Sequence, residues 1–168
     1  MSPGETPPSA EDILSRALVF AMDGLRAAEL QLERTREAGS PGTRAHWEID
    51  LQFFIVAMRR LRRGVEIGKW AESHRGVLQD ALVVFDATLP NLAMLRDVGE
   101  HLDEYAVGAG NHSSVTWRHV QVTSWNDPVV EWLGLKLNAE DALSAGHALI
   151  GVLVDCHNRE ILAAKQVH

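Results

Sequence analysis

The sequence predicts a mainly α-helical fold, an antiparallel bundle of about five helices with a β-hairpin inserted before the last one. Three observations carry this expectation. Apolar residues recur at three- and four-residue spacing from Leu14 to Leu32 and again through the long stretch after it. A Gly/Pro turn, Ala38-Gly39-Ser40-Pro41-Gly42, joins the two stretches and so makes antiparallel neighbours of them. Between Val115 and Leu137 the composition shifts to β-branched and aromatic residues.

At 168 residues the chain can bury a core without metal or disulfide staples, and one domain over 9–168 is the default. Residues 1–8 are rich in Pro, Gly, Ser and Glu and suit a disordered tail. They lack the basic start and apolar stretch of a signal peptide. No apolar run reaches the roughly 18 residues a membrane span needs, so no membrane role is expected and the cytoplasm is the expected compartment. A single cysteine, Cys156, rules out an intramolecular disulfide and a Cys-cluster zinc site. The net charge of −7 argues against broad binding of nucleic acid, so any such contact must be local.

The first helix starts at Ser9-Ala10-Glu11-Asp12, where Ser9 caps the Asp12 amide and acidic groups sit at the positive end of the helix dipole. Its stripe is Leu14, Ala17, Leu18, Ala21, Leu25, Ala28 and Leu32. The second helix is predicted from about Thr43 to Ser73. Trp47, Leu51, Phe54, Met58, Leu61 and Val65 line one face, and Ile49, Phe53 and Val56 fall nearly opposite. A helix apolar on two sides is central in its own fold or shared with a second copy, which raises the expectation of a homodimer. Further along, Arg59-Arg60-Leu61-Arg62-Arg63 is a solvated basic face or an RNA-backbone contact, with Arg59 and Arg60 the candidate substrate-binding residues.

A shorter helix is predicted from Val77 to Thr88, with Leu78, Leu82 and Phe85 inward. Pro90 opens a fourth that runs to about Ala106, and Gly108-Ala109-Gly110-Asn111 stops it. The hairpin, about 115–137, has strands 115–124 and 129–137 around the turn Asn126-Asp127-Pro128, and Trp117, Trp125 or Trp132 anchors it to the helical body. Asn138 caps the last helix, whose predicted stripe is Leu143, Gly146, Ile150, Leu153, Val154, His157 and Ile161.

The chemistry-bearing segment is Leu95-Arg96-Asp97-Val98-Gly99-Glu100-His101-Leu102-Asp103-Glu104-Tyr105. On an unbroken helix Leu92, Leu95, Gly99, Leu102 and Ala106 form the core face. Asp97, His101 and Tyr105, each four apart, stack as neighbours. Arg96 and His101 diverge by about 140°, so they meet at one substrate only if the helix is irregular near Gly99 or two copies face one another.

The spacing Arg96-Asp97-x-x-x-His101 resembles the R-x-x-x-x-H motif of the HEPN superfamily, and the layout of two long antiparallel helices followed by shorter ones is similar from about Ser9 to Gly110. The resemblance implies an all-α, commonly dimeric bundle and, in catalytic members, a metal-independent ribonuclease with Arg and His of both subunits lining a cleft. Carried over, it implies Arg96, His101 and Asp97 as catalytic residues, with no metal and no cofactor; Tyr105, next on the predicted ladder, is a candidate substrate contact. These residue types suit the chemistry. Histidine exchanges a proton near neutral pH, and arginine is a fixed cation for a phosphorane-like transition state. Tyrosine stands four positions after the histidine, where some toxin members have it two after, and Glu100, Asp103 and Glu104 surround the motif with negative charge. Two alternatives stay open. One is an ordinary helix face with Arg96 paired to Glu100 and His101 to Asp97. The other is a non-catalytic module that binds a partner protein, such as an antitoxin, or a nucleotide.

Other candidates carry less. His46 and Asp50 have metal-ligand spacing but no third ligand. His112 and His119 flank the first predicted strand, and either can join a site beside the loop after Gly110. His147 and His157 read as hydrogen-bonded core histidines. Ser113-Ser114 and Cys156 lack a nucleophile context, and there is neither a Walker loop nor a G-x-G-x-x-G.

Overall fold

The computed structural model describes residues 7–38, 47–116, 118 and 122–166. In chain order these form α1 (Ala10–Ala38), α2 (Trp47–Gly68), a 3-10 turn (Glu72–His74), α3 (Arg75–Thr88), α4 (Leu92–Glu100) and α5 (Leu102–Ala106). Strands β1 (Val122–Asn126), β2 (Val129–Trp132) and β3 (Leu135–Asn138) follow, and then α6 (Ala139–Gln166). The protein is therefore mainly helical, with a small antiparallel sheet before the last helix. Among the described residues no single helix is long and apolar enough to cross a membrane.

Helix α1 begins in the expected cap. The Ser9 hydroxyl accepts the Asp12 amide at 3.1 Å, and the Asp12 carboxylate accepts the Ser9 amide at 3.1 Å and hydroxyl at 2.7 Å. Leu14, Ala17, Ala21, Leu25, Ala28 and Leu32 are all buried, facing α2 and α6. Small residues let α1 and α2 approach backbone to backbone. A Cβ on Gly24 would stand 2.5 Å from the Leu61 nitrogen, and one on Gly64 would stand 2.6 Å from the Ala21 nitrogen.

Helix α2 stops at Gly68, not at Ser73 as its composition suggested. Gly68 lies under Leu78 and Leu153, and the chain then tightens through bonds to the carbonyl three residues back, from Trp70 to Ile67 and from Ala71 to Gly68. Ala71 goes into the core while Trp70 is left outside. Helix α3 accordingly starts at Arg75, two residues before the predicted Val77. The inner face of α2 is as expected, with Leu51, Phe54, Met58, Leu61 and Val65 buried, and Ile49, Phe53 and Val56 remain on its outer side.

The predicted hairpin is a three-stranded antiparallel sheet in the order β1-β2-β3. What read as one strand over 129–137 folds back on itself, with Trp132 opposite Leu135. Leu133 and Gly134 both have positive φ, 57° and 74°, the two-residue turn that suits strand twist. A leucine in that conformation is uncommon, and its side chain is buried, which is why the turn was hidden in a run of apolar residues. Strand β1 starts at Val122, so residues 115 and 116 precede the sheet; Trp117 and His119 lie outside the described residues. Val130 and Trp132 point inward, and Trp132 is the main anchor. Arg36 at the end of α1 donates to Asp127 at 2.9 Å and to Glu140 at 2.8 Å, tying together the turn before β2 and the start of α6.

Asn138 caps α6 through its Oδ1, which accepts the amides of Glu140 at 3.0 Å and Asp141 at 3.2 Å. The buried stripe of α6 is Ala139, Ala142, Gly146, Leu149, Ile150, Leu153 and Cys156, so Leu149 and Cys156 take places assigned to Leu143 and Val154, which are half-buried. His157 accepts or donates a 2.8 Å hydrogen bond with Ser15 in a partly buried setting, as a core histidine should. His147 does not; it lies on the surface, 3.0 Å from Glu29.

The glycines give a test of sign. Gly64→Ala should lower stability by about 1–3 kcal/mol despite alanine's better helix propensity, because the added methyl meets backbone. Gly151→Ala on exposed α6, with nothing within 4 Å of the new methyl, should raise it by about 0.5–1 kcal/mol. Urea midpoints at unchanged m-value would measure both, and a stabilised Gly64→Ala would refute the close approach of α1 and α2.

Candidate functional site

The motif segment is not one helix. Helix α4 ends at Glu100, His101 has φ −117° and ψ 33°, and α5 resumes at Leu102. The His101 amide is shared between the carbonyls of Asp97 and Val98, at 3.2 Å each. Gly99 weakens the helix locally, and it is also where α4 rests on the sheet: a Cβ there would meet the Trp132 ring at 3.0 Å. The break resets the helical phase. Leu92, Leu95, Val98 and Tyr105 are buried in place of the predicted Leu92, Leu95, Gly99, Leu102 and Ala106, of which Leu102 is half-buried and Ala106 exposed.

That reset undoes the predicted Asp97–His101–Tyr105 ladder. His101, about half exposed, faces Glu104, with its Nδ1 at 3.3 Å from the carboxylate. Arg96 pairs with Glu100 one turn on. Asp97 instead holds His112 through a 2.9 Å contact from the imidazole Nε2. Tyr105 is 2% exposed, so its ring belongs to the core and not to an open substrate surface. Its hydroxyl accepts the His112 backbone amide at 3.0 Å, and the two rings stack with centroids 6.3 Å apart and an interplanar angle of 9°.

His112 reaches this position because the chain folds back over Tyr105. Gly108, at φ 76°, ends α5 with its amide on Tyr105 and the Ala109 amide on Glu104, at 3.1 and 2.8 Å. Gly110 then lies flat against Tyr105, where a Cβ would fall 2.2 Å from the ring. The sequence marks the glycine stop but not the fifteen-residue jump from Asp97 to His112. The resulting Asp–His pair fixes one ring nitrogen of His112 and leaves the other to accept or deliver a proton. Chemically it is the arrangement expected of Asp97 with His101, moved to a different histidine.

The arginine cluster on α2 divides. Arg62 is held by Asp86 at 2.6 Å and Glu66 at 2.5 Å, and Arg63 meets Glu66 at 3.1 Å. Hydrogen bonding to Asp86, followed by that to Glu66, raises the Arg62 guanidinium pKa. Burial works to raise Glu66, but hydrogen bonds and charge from Arg62 and Arg63 outweigh it and hold the carboxyl below the usual range. Arg60 lies 4.6 Å over the Phe20 ring and 3.9 Å from Asp23. Arg59 has no ion pair among the described residues; burial, and next the neighbouring Arg62 charge, lower its pKa, with Arg96 contributing in the same sense. Arg59 thus feels the charge of Arg96 and has no carboxylate at ion-pair distance among the described residues.

Arg96, Gly99 and Glu100 share a small cleft of about 120 Å³ with Phe53 and Val56 of α2 and with Trp132. The indole Nε1 of Trp132 has no hydrogen-bond partner among the described residues. Asp50, the proposed metal partner of His46, is buried and paired with Arg34 at 3.1 Å; His46 lies outside the described residues. No three His, Cys, Asp or Glu side chains gather as a metal-holding group among the described residues.

Tyr105→Phe should keep the ring packing but release the His112 amide, speeding hydrogen exchange at that amide and costing about 1 kcal/mol; an unchanged exchange rate would show that the hydroxyl does not hold the loop. The depressed Glu66 contributes stability that is present above the pKa of an unfolded glutamate and lost as the pH falls through its folded value. Glu66→Gln should flatten that acid limb and cost about 1 kcal/mol at neutral pH, measured by urea unfolding across the acid range; an identical limb in the variant would remove Glu66 from the linkage.

Comparison with models of protein families, with curated proteins and with solved structures gives no match, so the HEPN resemblance stands on the motif residues and the layout alone.

Proposed function

We propose that this chain is a HEPN-like, metal-independent endoribonuclease of a toxin or defence kind, acting as a cytoplasmic homodimer with Arg96 and His101 of both copies at a composite site. One observation carries the reading. The motif arginine shares its cleft with the apolar outer face of α2: Phe53, 56% exposed, and Val56, 47% exposed, stand beside Arg96, Gly99 and Glu100. A second copy seated on Ile49, Phe53 and Val56 would cover that face and bring two α4 helices together, so burial of the apolar stripe and completion of the site would be the same event.

The chemistry then follows from residue type. A histidine takes the proton of the 2′-hydroxyl as its oxygen attacks phosphorus. Arg96 balances the charge on the phosphorane, and the P–O5′ bond breaks with a proton delivered to the leaving oxygen. The products are a 2′,3′-cyclic phosphate and a 5′-hydroxyl. The Asp97–His112 pair supplies a second imidazole near the motif, so the two proton transfers need not fall on one group. Arg59, unmatched by a carboxylate, suits the role of a backbone contact.

A second reading is favoured by a different observation: Arg96, His101 and Asp97 each have a partner within the chain, Glu100, Glu104 and His112. A non-catalytic module that binds a partner protein, such as an antitoxin, or a nucleotide would need none of them free.

Incubation of the purified protein with RNA in EDTA separates these. Cleavage leaving 2′,3′-cyclic phosphate ends, reduced at least about 100-fold in His101→Ala and in Arg96→Ala, is the expected result. Phe53→Glu should yield a monomer by sedimentation and a comparable loss. Full activity in His101→Ala would remove that residue from the mechanism, and absence of cleavage under all conditions would favour the binding module.

A further inference from the structure

We infer that the C-terminal end of α2 carries a nucleotide-binding site in which a base stacks on Trp70 and its phosphate meets Arg63, Lys69 and Arg75. Trp70 is 73% exposed, the most exposed large ring among the described residues. It does not lie on an open plain. With Arg63, Glu66, Lys69, Arg75 and Gln79 it lines a cleft of about 470 Å³, within the roughly 300–1,000 Å³ of small-molecule sites.

The composition of that cleft selects its occupant. Three cations line it beside Glu66, which is shared between Arg62 and Arg63, and Arg75 is paired with Glu72, so Lys69 is the cation of the three that no carboxylate matches among the described residues. Lys69 is held in place without being neutralised, since its ammonium donates to the Gln79 amide oxygen at 2.8 Å and has no ion pair among the described residues. Arg75 donates to the Lys69 carbonyl at 3.3 Å and pairs with Glu72, which fixes its fork at the rim. An apolar partner would strip water from the Lys69 ammonium and from two paired guanidinium groups, and an inorganic anion would leave the indole unused. A ligand with both a flat ring and a phosphate uses the ring and the charge together.

The site is built by the fold and not by mobility of the helix end. Trp70 is pushed outward because Ala71 must enter the core and Gly68 must pass under Leu78 and Leu153. On α2, Arg59, Arg63 and Ile67 recur every four residues and share one helical face about 12 Å long, and Trp70 follows two residues beyond the end of the helix. The stripe runs from Arg59, which feels the charge of Arg96, to the exposed ring. A single strand with its reacting phosphate at Arg96 would reach Trp70 some two or three nucleotides away. This extension rests on the ribonuclease reading; the nucleotide site itself does not.

The test uses fluorescein-labelled dA8, whose lack of 2′-hydroxyls keeps binding separate from cleavage, and measures anisotropy with the full chain. Wild type should bind, Trp70→Ala should weaken binding by about 5- to 150-fold, the range for loss of one stacked base, and Trp70→Phe should keep most of it. Arg63→Gln with Lys69→Gln should lower the salt dependence by about 0.7 per cation removed. Circular dichroism should be unchanged in Trp70→Ala, since the ring packs against little. RNA cleavage by Trp70→Ala should still depend on His101, so weakened dA8 binding with that dependence retained separates this site from the catalytic one. Displacement of dA8 by AMP identifies a free nucleotide as sufficient, and displacement only by unlabelled dA8 identifies the strand. Binding in Trp70→Ala equal to wild type, displacement by inorganic phosphate as effective as by AMP, or no binding of dA8 and AMP would each overturn the proposal.

Discussion

The backbone contact between α1 and α2 sets which face of α2 is left on the outside of this protein. Gly24 against Leu61 and Gly64 against Ala21 leave no room for a side chain, so the two helices can neither rotate nor slide past one another without collision. With its inner face committed to α1, α2 turns Ile49, Phe53 and Val56 outward, with Phe53 and Val56 beside Arg96 of α4, and Arg63 lines the cleft at the helix's far end. The surface pattern that carries both functional proposals is thus a consequence of close packing on the opposite side of one helix. Gly146 of α6 extends the same logic, since a Cβ there would touch Leu61, Leu25 and Met58, and the third long helix closes on the pair through another small residue.

The second constraint is Trp132. Burying an indole of this size against α4 is favourable by several kcal/mol, of order 25 cal/mol for each Å² removed from water, and a Cβ at position 99 would stand 3.0 Å from the ring and press it out of place. Gly99 in turn weakens α4, the helix breaks at His101, and α5 restarts in a phase that buries Tyr105. The catalytic-looking polar groups are then redistributed: Arg96 and Glu100 stay with α2, His101 turns to Glu104, and Asp97 is left for His112. One sheet-to-helix contact therefore decides which histidine receives the carboxylate. Electrostatics alone would not have made that choice, because Asp97, Glu100, Asp103 and Glu104 offer any nearby imidazole a partner within a turn or two.

The long elements were legible in the sequence because a 3.6-residue period persists through α1, the inner face of α2 and most of α6, and because Ser9 and Asn138 are caps whose chemistry does not depend on distant residues. The failures have one physical cause, a short element whose conformation is imposed from elsewhere. Helix α2 ends at Gly68 to admit α3 and α6, the β2–β3 turn uses a buried leucine at positive φ where Asn-Gly would have signalled it, and α4 breaks under Trp132. For the site, the identities of Arg96, Asp97 and His101 were readable and their partners were not. Asp97–His112 spans a loop whose path is set by Gly108 and Gly110 against one tyrosine, and nothing local to His112 announces it.

These two constraints bear differently on how a negatively charged chain could handle a negatively charged substrate. A net charge of −7 spread evenly would repel a phosphate backbone from every direction. The carboxylates are not spread evenly with respect to α2. Those nearest its basic face, Asp23, Glu66 and Asp86, are already engaged with Arg60, Arg62 and Arg63, so their fields fall off as those of pairs. Arg59 and Lys69 are left as net cations at either end of the stripe. A strand bound as proposed would meet there a narrow positive track bounded by neutral pairs, within a Debye length of about 8 Å at physiological salt. On the ribonuclease proposal, the acidic remainder of the surface would confine any phosphate contact to that track by repelling the backbone elsewhere.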